Sequence, residues 1–407
     1  MGNPCADSEI SKPWLKPGRL TRMDYLDNLR VALVMLVVAH HAAQAYGPPD
    51  WWYFRGDRRS WLLATFSVVN GAFFMSLFFF VSAYFVPTSR DAKGTSPFVR
   101  GRFRRLGIPL VVGTLTIIPG LMYSYYNRYR DYPAISFWRY YRDVFLGFGE
   151  RPEDWSGPSW PDLQFGHLWF IQHLLIYSLF YLICRWLAGH VVRIRGASAA
   201  TRPMGIPGHG GLVALSLAVA AATFLIRLYY PLDTWVPLLG FIQAEPARLP
   251  QYAAFFTAGI LACRNEWLHN LPRSTGYTWL ALGIGLAGLP FVTGGIDSLG
   301  FDAGGATLAA LAGTLYESFL CTGLCVGLVV LFREHFAGGH AFARSLAASS
   351  FALYIIHVPI VVALQVALAP ADLPALLSFG VVAALATLIS FPAADLLRRL
   401  PGFRSVL

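Results

Sequence analysis

The chain reads as an all-α polytopic membrane protein with about ten transmembrane helices and both termini cytoplasmic. Three observations lead there. Of its 407 residues, 56% are hydrophobic and only 13% charged, with a mean hydropathy of +0.50, which is outside the habit of soluble domains. Apolar runs long enough to cross a hydrocarbon layer of ~30 Å recur along the whole length. The basic residues behind the net charge of +10 lie in short stretches between those runs. That is how positive-inside topology looks, and it gives no reason to expect nucleic acid as a partner.

The spans fall, in order, at 26–46, 62–86, 106–126, 166–187, 211–230, 249–264, 276–293, 306–332, 346–368 and 375–396. The sixth is the shortest. Just before it, Trp235–Ile242 is interrupted by Pro237 and Gly240 and reads as a re-entrant piece or a plain loop. No internal repeat divides the chain. The expected organisation is a cytoplasmic segment 1–24, one transmembrane domain 25–398 and a cytoplasmic tail 399–407. The first 25 residues are polar and carry Pro4, Pro13 and Pro17, so no cleavable signal peptide is expected there. Five cysteines (Cys5, Cys184, Cys263, Cys321, Cys325) form no CxxC and no metal-ligand spacing. Neither a disulfide framework nor a metal is expected, and cysteines in apolar segments behave as small hydrophobes.

Charge sets the orientation. Lys12, Lys16, Arg19 and Arg22 place the N-terminus inside, as do the loops 87–105 and 188–210 and the tail with Arg398, Arg399 and Arg404. The 87–105 loop carries Arg90, Lys93, Arg100, Arg102, Arg104 and Arg105 against Asp91 alone. The opposite loops hold most of the acids, including Asp143, Glu150, Asp162, Asp233, Asp302 and Asp372, with Arg55, Arg58 and Arg59 as a basic minority. The longest loop, about 127–163, is external and rich in Tyr and Trp, and loops of that length usually carry function or disorder.

Chemistry is sought where ionisable groups enter apolar helices, since each costs on the order of 2.5–3.5 kcal/mol at bilayer depth. Arg30 and His41 lie eleven residues apart in the first span, about three turns and ~16 Å along one helix face. Asp27 precedes Arg30 by one turn on nearly the same stripe. His41 has the character of a general base, because an imidazole near pKa 6.5 can take a proton from an attacking hydroxyl. A core histidine satisfied by a neighbouring helix is the plainer alternative. His40 lies about 100° around the helix and is expected to be structural. Arg30 either grips an anionic donor or anchors to Asp27. Arg102 and Arg105, a turn apart at what reads as a helix start, either serve topology or hold phosphate oxygens. Glu317, near the middle of the eighth span, is a protonated structural group or the orienter of a histidine. His167 and His357 are packing residues or substrate contacts. Trp155, Trp160, Trp169 and the loop tyrosines form a sugar-stacking platform or an interfacial aromatic belt.

Several of these stretches together resemble the acyltransferase-3 family of membrane-bound acyltransferases. They are Arg30 followed after ten residues by His41, Arg102-Phe-Arg-Arg105-Leu-Gly-Ile-Pro109, Gly166-His-Leu-Trp-Phe170, Glu317-Ser-Phe-Leu-Cys321 and Ser350-Phe-Ala-Leu-Tyr-Ile-Ile-His357. The resemblance runs from about residue 20 to 400. Phe79-Phe-Val-Ser-Ala-Tyr-Phe85 and the Arg-Leu-Gly-Ile-Pro stretch look like the periplasmic-glucan succinyltransferase branch. The resemblance implies a multi-pass enzyme of a bacterial inner membrane that moves an acyl group from cytoplasmic acyl-CoA, acetyl-CoA or succinyl-CoA, to a hydroxyl of an extracytoplasmic glycan or glycolipid. O-acetylation or a related carbohydrate modification of the cell envelope would be the outcome. On that reading His41 and Glu317 are catalytic, Arg30, Arg102 and Arg105 bind the acyl-CoA, and Trp160, His167, Trp169 and His357 contact the acceptor. No Ser or Cys is placed as a nucleophile, so direct transfer is preferred to an acyl-enzyme. The alternative from another class is a transporter or flippase with buried His, Glu and Arg along its path, and a blander one is a scaffold of a polysaccharide-assembly complex.

Overall fold

In the computed structural model the described residues are 22–47, 51–195, 204–240, 242–300 and 304–406. Most of the N-terminal basic segment, part of the 188–210 loop and Asp302 lie outside them. The helices are α1 (Asp24–Ala43), α2 (Trp61–Tyr84), α3 (Val86–Lys93), α4 (Thr95–Arg102), α5 (Ile108–Tyr129), α6 (Phe137–Arg139), α7 (Trp169–Arg195), α8 (His209–Arg227), α9 (Leu249–Arg264), α10 (Trp267–Asn270), α11 (Arg273–Val292), α12 (Leu308–His335), α13 (Ala341–Leu368) and α14 (Ala375–Arg399). Among the described residues, nine helical stretches are long and apolar enough to cross a membrane.

The tenth expected crossing, α9, has 16 residues, about 24 Å of helix, short of a ~30 Å hydrocarbon layer. Its lead-in is not a plain loop. Val236–Leu238 (β1) and Ile242–Ala244 (β2) pair antiparallel, with Pro237 opposite Gln243, and Gly240 takes a positive φ of 79° at the turn. A 3₁₀ turn, Pro246–Arg248, then feeds α9. Non-helical backbone at membrane depth is tolerated where protein surrounds it. Here Ala244, Glu245, Ala247 and Arg248 are all buried.

Small residues let the backbones approach, since packing rather than hydrophobicity joins helices in lipid. A Cβ on Gly259 of α9 would collide with the Phe80 carbonyl oxygen of α2, and one on Gly283 of α11 would stand 2.7 Å from the Leu324 nitrogen of α12. Polar bridges tie α9 to α2 and α8 to α12. Gln251 Nε2 donates to Ala72 O (2.8 Å) and Ser76 Oγ (2.9 Å), and Ser216 Oγ to Thr322 Oγ1 (2.9 Å).

The two ends of the bundle differ in charge. The end holding the start of α1 gathers Arg90, Lys93, Arg102, Arg105, Arg185, Arg264, Arg273, Arg333 and Arg398. Asn28 there donates to the carbonyls of Phe336 and Gly338 (2.7 and 3.0 Å), and Asp91 meets Arg185 and Arg264 (3.0 and 3.6 Å). The other end holds the close of α1, and there Arg58 meets Asp372 (2.6 Å). The loop 130–165 is ordered at that end by a buried carboxylate. Asp162 accepts from Arg130 (3.2 Å), Tyr140 (2.8 Å) and Gln164 (2.9 Å). Burial pushes the Asp162 carboxyl above its ordinary pKa, and Arg130, Tyr140 and Gln164 pull it back.

Candidate active site

His41 emerges from the last turn of α1 and faces α13. Its Nδ1 lies 2.8 Å from Nε2 of His357. His357 is fully buried, and its Nδ1 lies 2.7 Å from the carbonyl oxygen of Tyr354 one turn earlier. A carbonyl only accepts, so His357 Nδ1 carries the proton. In the neutral ring its Nε2 is then an acceptor, which requires His41 Nδ1 to be the donor. The chain of bonds leaves His41 Nε2 with a bare lone pair, the form a general base needs.

The surroundings fix the ring. Trp52 stacks on His41 at 5.3 Å with an interplanar angle of 14°, and Trp52 Nε1 donates to Gln365 Oε1 (2.8 Å). Gln365 in turn donates to the His41 and Ala42 carbonyls, both at 3.2 Å. These carbonyls close the last turn of α1 and have no partner within the helix, so Gln365 caps the helix and locates the base together. His41 keeps partial access while His357 has none. His40 bonds Gln44 at 2.9 Å and packs on Phe74 of α2 at 5.0 Å, its ring standing edge-on to that of His41 at 5.4 Å.

His167 joins this group. Its ring centroid lies 5.3 Å from His357, and its Nε2 donates to the Ile355 carbonyl at 2.9 Å. Tyr354 OH donates to the His167 carbonyl. Gly166-His-Leu-Trp-Phe170 and the Ser350–His357 stretch are thus neighbours in space, and both serve the histidine cluster. Trp160 and Trp169 sit in separate ring clusters rather than on one platform. Trp160 stands edge-on to Trp155 at 4.9 Å. Trp169 stacks on Tyr252 at 5.5 Å and meets Trp235 of the hairpin at 5.5 Å.

Two expectations meet a different geometry, and for Arg30 the structure shows the second of its two alternatives, the anchor to Asp27. Glu317 is joined to Arg248 (3.4 Å), which also binds Glu245 (3.0 Å), and not to a histidine; the partner of His41 is His357. The buried Arg248 supplies the cation that Glu317 does not have nearby in sequence. Arg30 is held by Asp27, which Arg22 also reaches at 2.6 Å, and lies over the Phe85 ring at 6.0 Å. Arg102 and Arg105 are not at a helix start. Phe103–Gly107 is a π turn inside a helical run that begins at Thr95, so their backbone N–H groups are already committed to the helix. Pro109 gives the reason, because it lacks an N–H and its ring crowds the carbonyl of Arg105, which a widened turn accommodates. Their side chains remain beside each other, Arg102 lying over Phe98 at 5.0 Å and Arg105 exposed.

Trp52, Gln365, Arg248 and Tyr354 were not singled out from sequence. Gln365 had only a weak signal, a polar group eight residues beyond His357 and about 80° around α13 from it. The others acquire meaning only through partners far away along the chain.

A multi-pass helical membrane protein with an oriented imidazole among its helices has the makings of a membrane enzyme. The chain belongs to the acyltransferase-3 family: the family's sequence profile, described as an acyltransferase domain, matches residues 23–395. Over 249 residues the chain is 25% identical to the glucans biosynthesis protein C of Salmonella paratyphi B, with the same identity to those of Salmonella dublin and Salmonella gallinarum. The match covers 58% of this chain and 57% of each of these relatives, so the chain spans less than two thirds of their length. No solved structure matches.

Proposed function

We propose that the protein is an O-acyltransferase of a bacterial inner membrane, with both termini cytoplasmic, that carries an acyl group from cytoplasmic acyl-CoA to a hydroxyl of an extracytoplasmic glycan or glycoconjugate. The observation that carries this reading is the bare Nε2 of His41, set by the bonds from His41 to His357 to Tyr354. It lies on the same helix as Arg30, at the opposite end from the arginine-rich face. That face reads as cytoplasmic, where Arg102, Arg105 and Arg30 bind the phosphates of the donor.

The acceptor hydroxyl gives its proton to His41 Nε2 as its oxygen attacks the thioester carbonyl. The C–S bond then breaks, the ester forms, and the departing thiolate takes the proton from His41. The His41–His357 bond becomes charge-assisted while His41 carries the proton, and the Trp52 face and the Gln365 cap keep the ring in place. His357 and His167, both buried, are assigned to orienting the base rather than to contacting the acceptor, and Trp160 is left as the acceptor contact. Glu317, expected among the catalytic residues, is assigned to holding Arg248. A glycan acceptor is supported by the relatives named for glucan biosynthesis, and acetyl-CoA or succinyl-CoA is the donor.

The test is transfer of an isotope-labelled acyl group from acyl-CoA to glycan in membranes carrying the protein or its His41→Ala variant. Label on the glycan that disappears with His41→Ala supports the reading. Unlabelled glycan with the wild type, or full turnover by the variant, refutes it.

A further inference from the structure

One interior histidine takes no part in the site above. His173 of α7 is 2% exposed, and neither ring nitrogen has a hydrogen-bond partner. Its neighbours are aromatic rings: Tyr177 nearly parallel at 5.9 Å, Trp169 edge-on at 5.3 Å, and Phe79 of α2 tilted at 6.5 Å. Tyr252 of α9 completes the wall, 5.1 Å from Phe79. A neutral imidazole carries one N–H donor and one bare acceptor. Burying both without partners costs their full desolvation, which a merely space-filling residue such as Phe or Leu would avoid.

The position along the bundle is informative, and α2 serves as the ruler. Running antiparallel to α1, it meets Arg30 at Phe85 and His40 at Phe74. Phe79, which touches His173, is five residues from Phe74 and six from Phe85. At ~1.5 Å per residue, His173 therefore lies about 8 Å in depth from the histidine pair and about 9 Å from Arg30. It sits midway between the guanidinium and the base.

We propose that His173 binds the pantetheine arm of the acyl donor, its ring N–H donating to an amide carbonyl and its bare nitrogen accepting an amide N–H. This rests on the acyl-CoA reading given above. The arm suits the place chemically. Its amides supply both complementary groups, and its methylenes match the aromatic walls, with the amide nearest the thioester lying only a few bonds behind the sulfur. A glycan would turn most of its hydroxyls against ring carbons that cannot bond them.

The experiment compares binding of CoA and of adenosine 3′,5′-bisphosphate, which lacks the arm, to the full-length protein in lipid nanodiscs by calorimetry. His173→Leu should weaken CoA about tenfold and leave the bisphosphate unchanged, whereas His173→Gln, which keeps a donor and an acceptor, should hold CoA within about threefold. Because His173 has no protein hydrogen bond to lose, ligand-free His173→Leu should melt no lower than wild type. Unchanged CoA affinity in His173→Leu overturns the proposal. So does parallel weakening of both probes with a lower melting temperature, the mark of a structural role. A wild type that binds neither probe removes the acyl-CoA reading itself, a result distinct from either.

Discussion

Replacing His357 with Phe keeps a ring of similar size and removes the side-chain acceptor that His41 Nδ1–H faces. In the ground state the loss frees His41 to place its proton on Nε2, where it blocks the base. In the transition state His41 is an imidazolium, and the 2.8 Å bond to His357 is a hydrogen bond from a charged donor, worth ~1.5–3 kcal/mol. At about 1.4 kcal/mol per decade this predicts a fall in kcat of about 10- to 150-fold. His41→Ala should cost more, about 10²- to 10⁴-fold, since it removes the base outright. The assay is single-turnover transfer of a labelled acyl group to glycan in proteoliposomes, at saturating donor so that binding is not read as chemistry. His357→Gln, whose amide oxygen can accept, should recover part of the loss. The decisive comparison is the double variant. Residues acting as one unit are not additive, so His357→Phe should do nothing further once His41 is Ala. Activity of His357→Phe within about twofold of wild type, or an equal further loss in the His41→Ala background, refutes the tautomer argument.

Other consequences are open to direct measurement. Arg102→Ala with Arg105→Ala should weaken acyl-CoA binding and make what remains less salt-sensitive, because contacts between guanidiniums and phosphates near solvent are screened by salt; unchanged affinity and salt slope would return them to a topological role. Arg248→Ala leaves Glu245 and Glu317 buried without their cation and should destabilise the fold by ~3–5 kcal/mol. Glu317→Gln, which leaves the Arg248–Glu245 pair in place, should lower the melting temperature less. Abolished acyl transfer at full stability in Glu317→Gln would instead put Glu317 in the chemistry. Arg130→Met removes the partner of buried Asp162, whose carboxyl burial already holds above its ordinary pKa, and the variant raises it further. A carboxyl with its folded pKa above the unfolded one destabilises the fold fully above that folded pKa, and the deficit shrinks as pH falls from there toward the unfolded pKa. The melting deficit of Arg130→Met should therefore be largest near neutral pH and shrink in acid, and a deficit independent of pH refutes the assignment.

Much of this protein is written locally in its sequence. The order of apolar runs gives the spans, because a helix in lipid must satisfy its own backbone and so announces itself by length and hydropathy. The Arg30–His41 spacing is local too, since an α-helix converts eleven residues into one face and a fixed distance. The ordered motifs from residue 23 to 395 carry the family for the same reason. What the sequence left open depends on contacts between distant segments. His41 and His357 are 316 residues apart, and only the packing of α1 against α13 makes one the partner of the other. Glu317 was readable as a buried acid, yet its choice of Arg248 over a histidine follows from how the turn ahead of α9 enters the bundle. The helix start expected at Arg102 gave way to a π turn, because continuity from Thr95 and the crowding by Pro109 outweighed the local pattern. Sequence periodicity determined which residues enter the membrane and on which face, while the tertiary structure decided which buried polar group answers which, since a hydrogen bond needs two partners and the chain places them far apart.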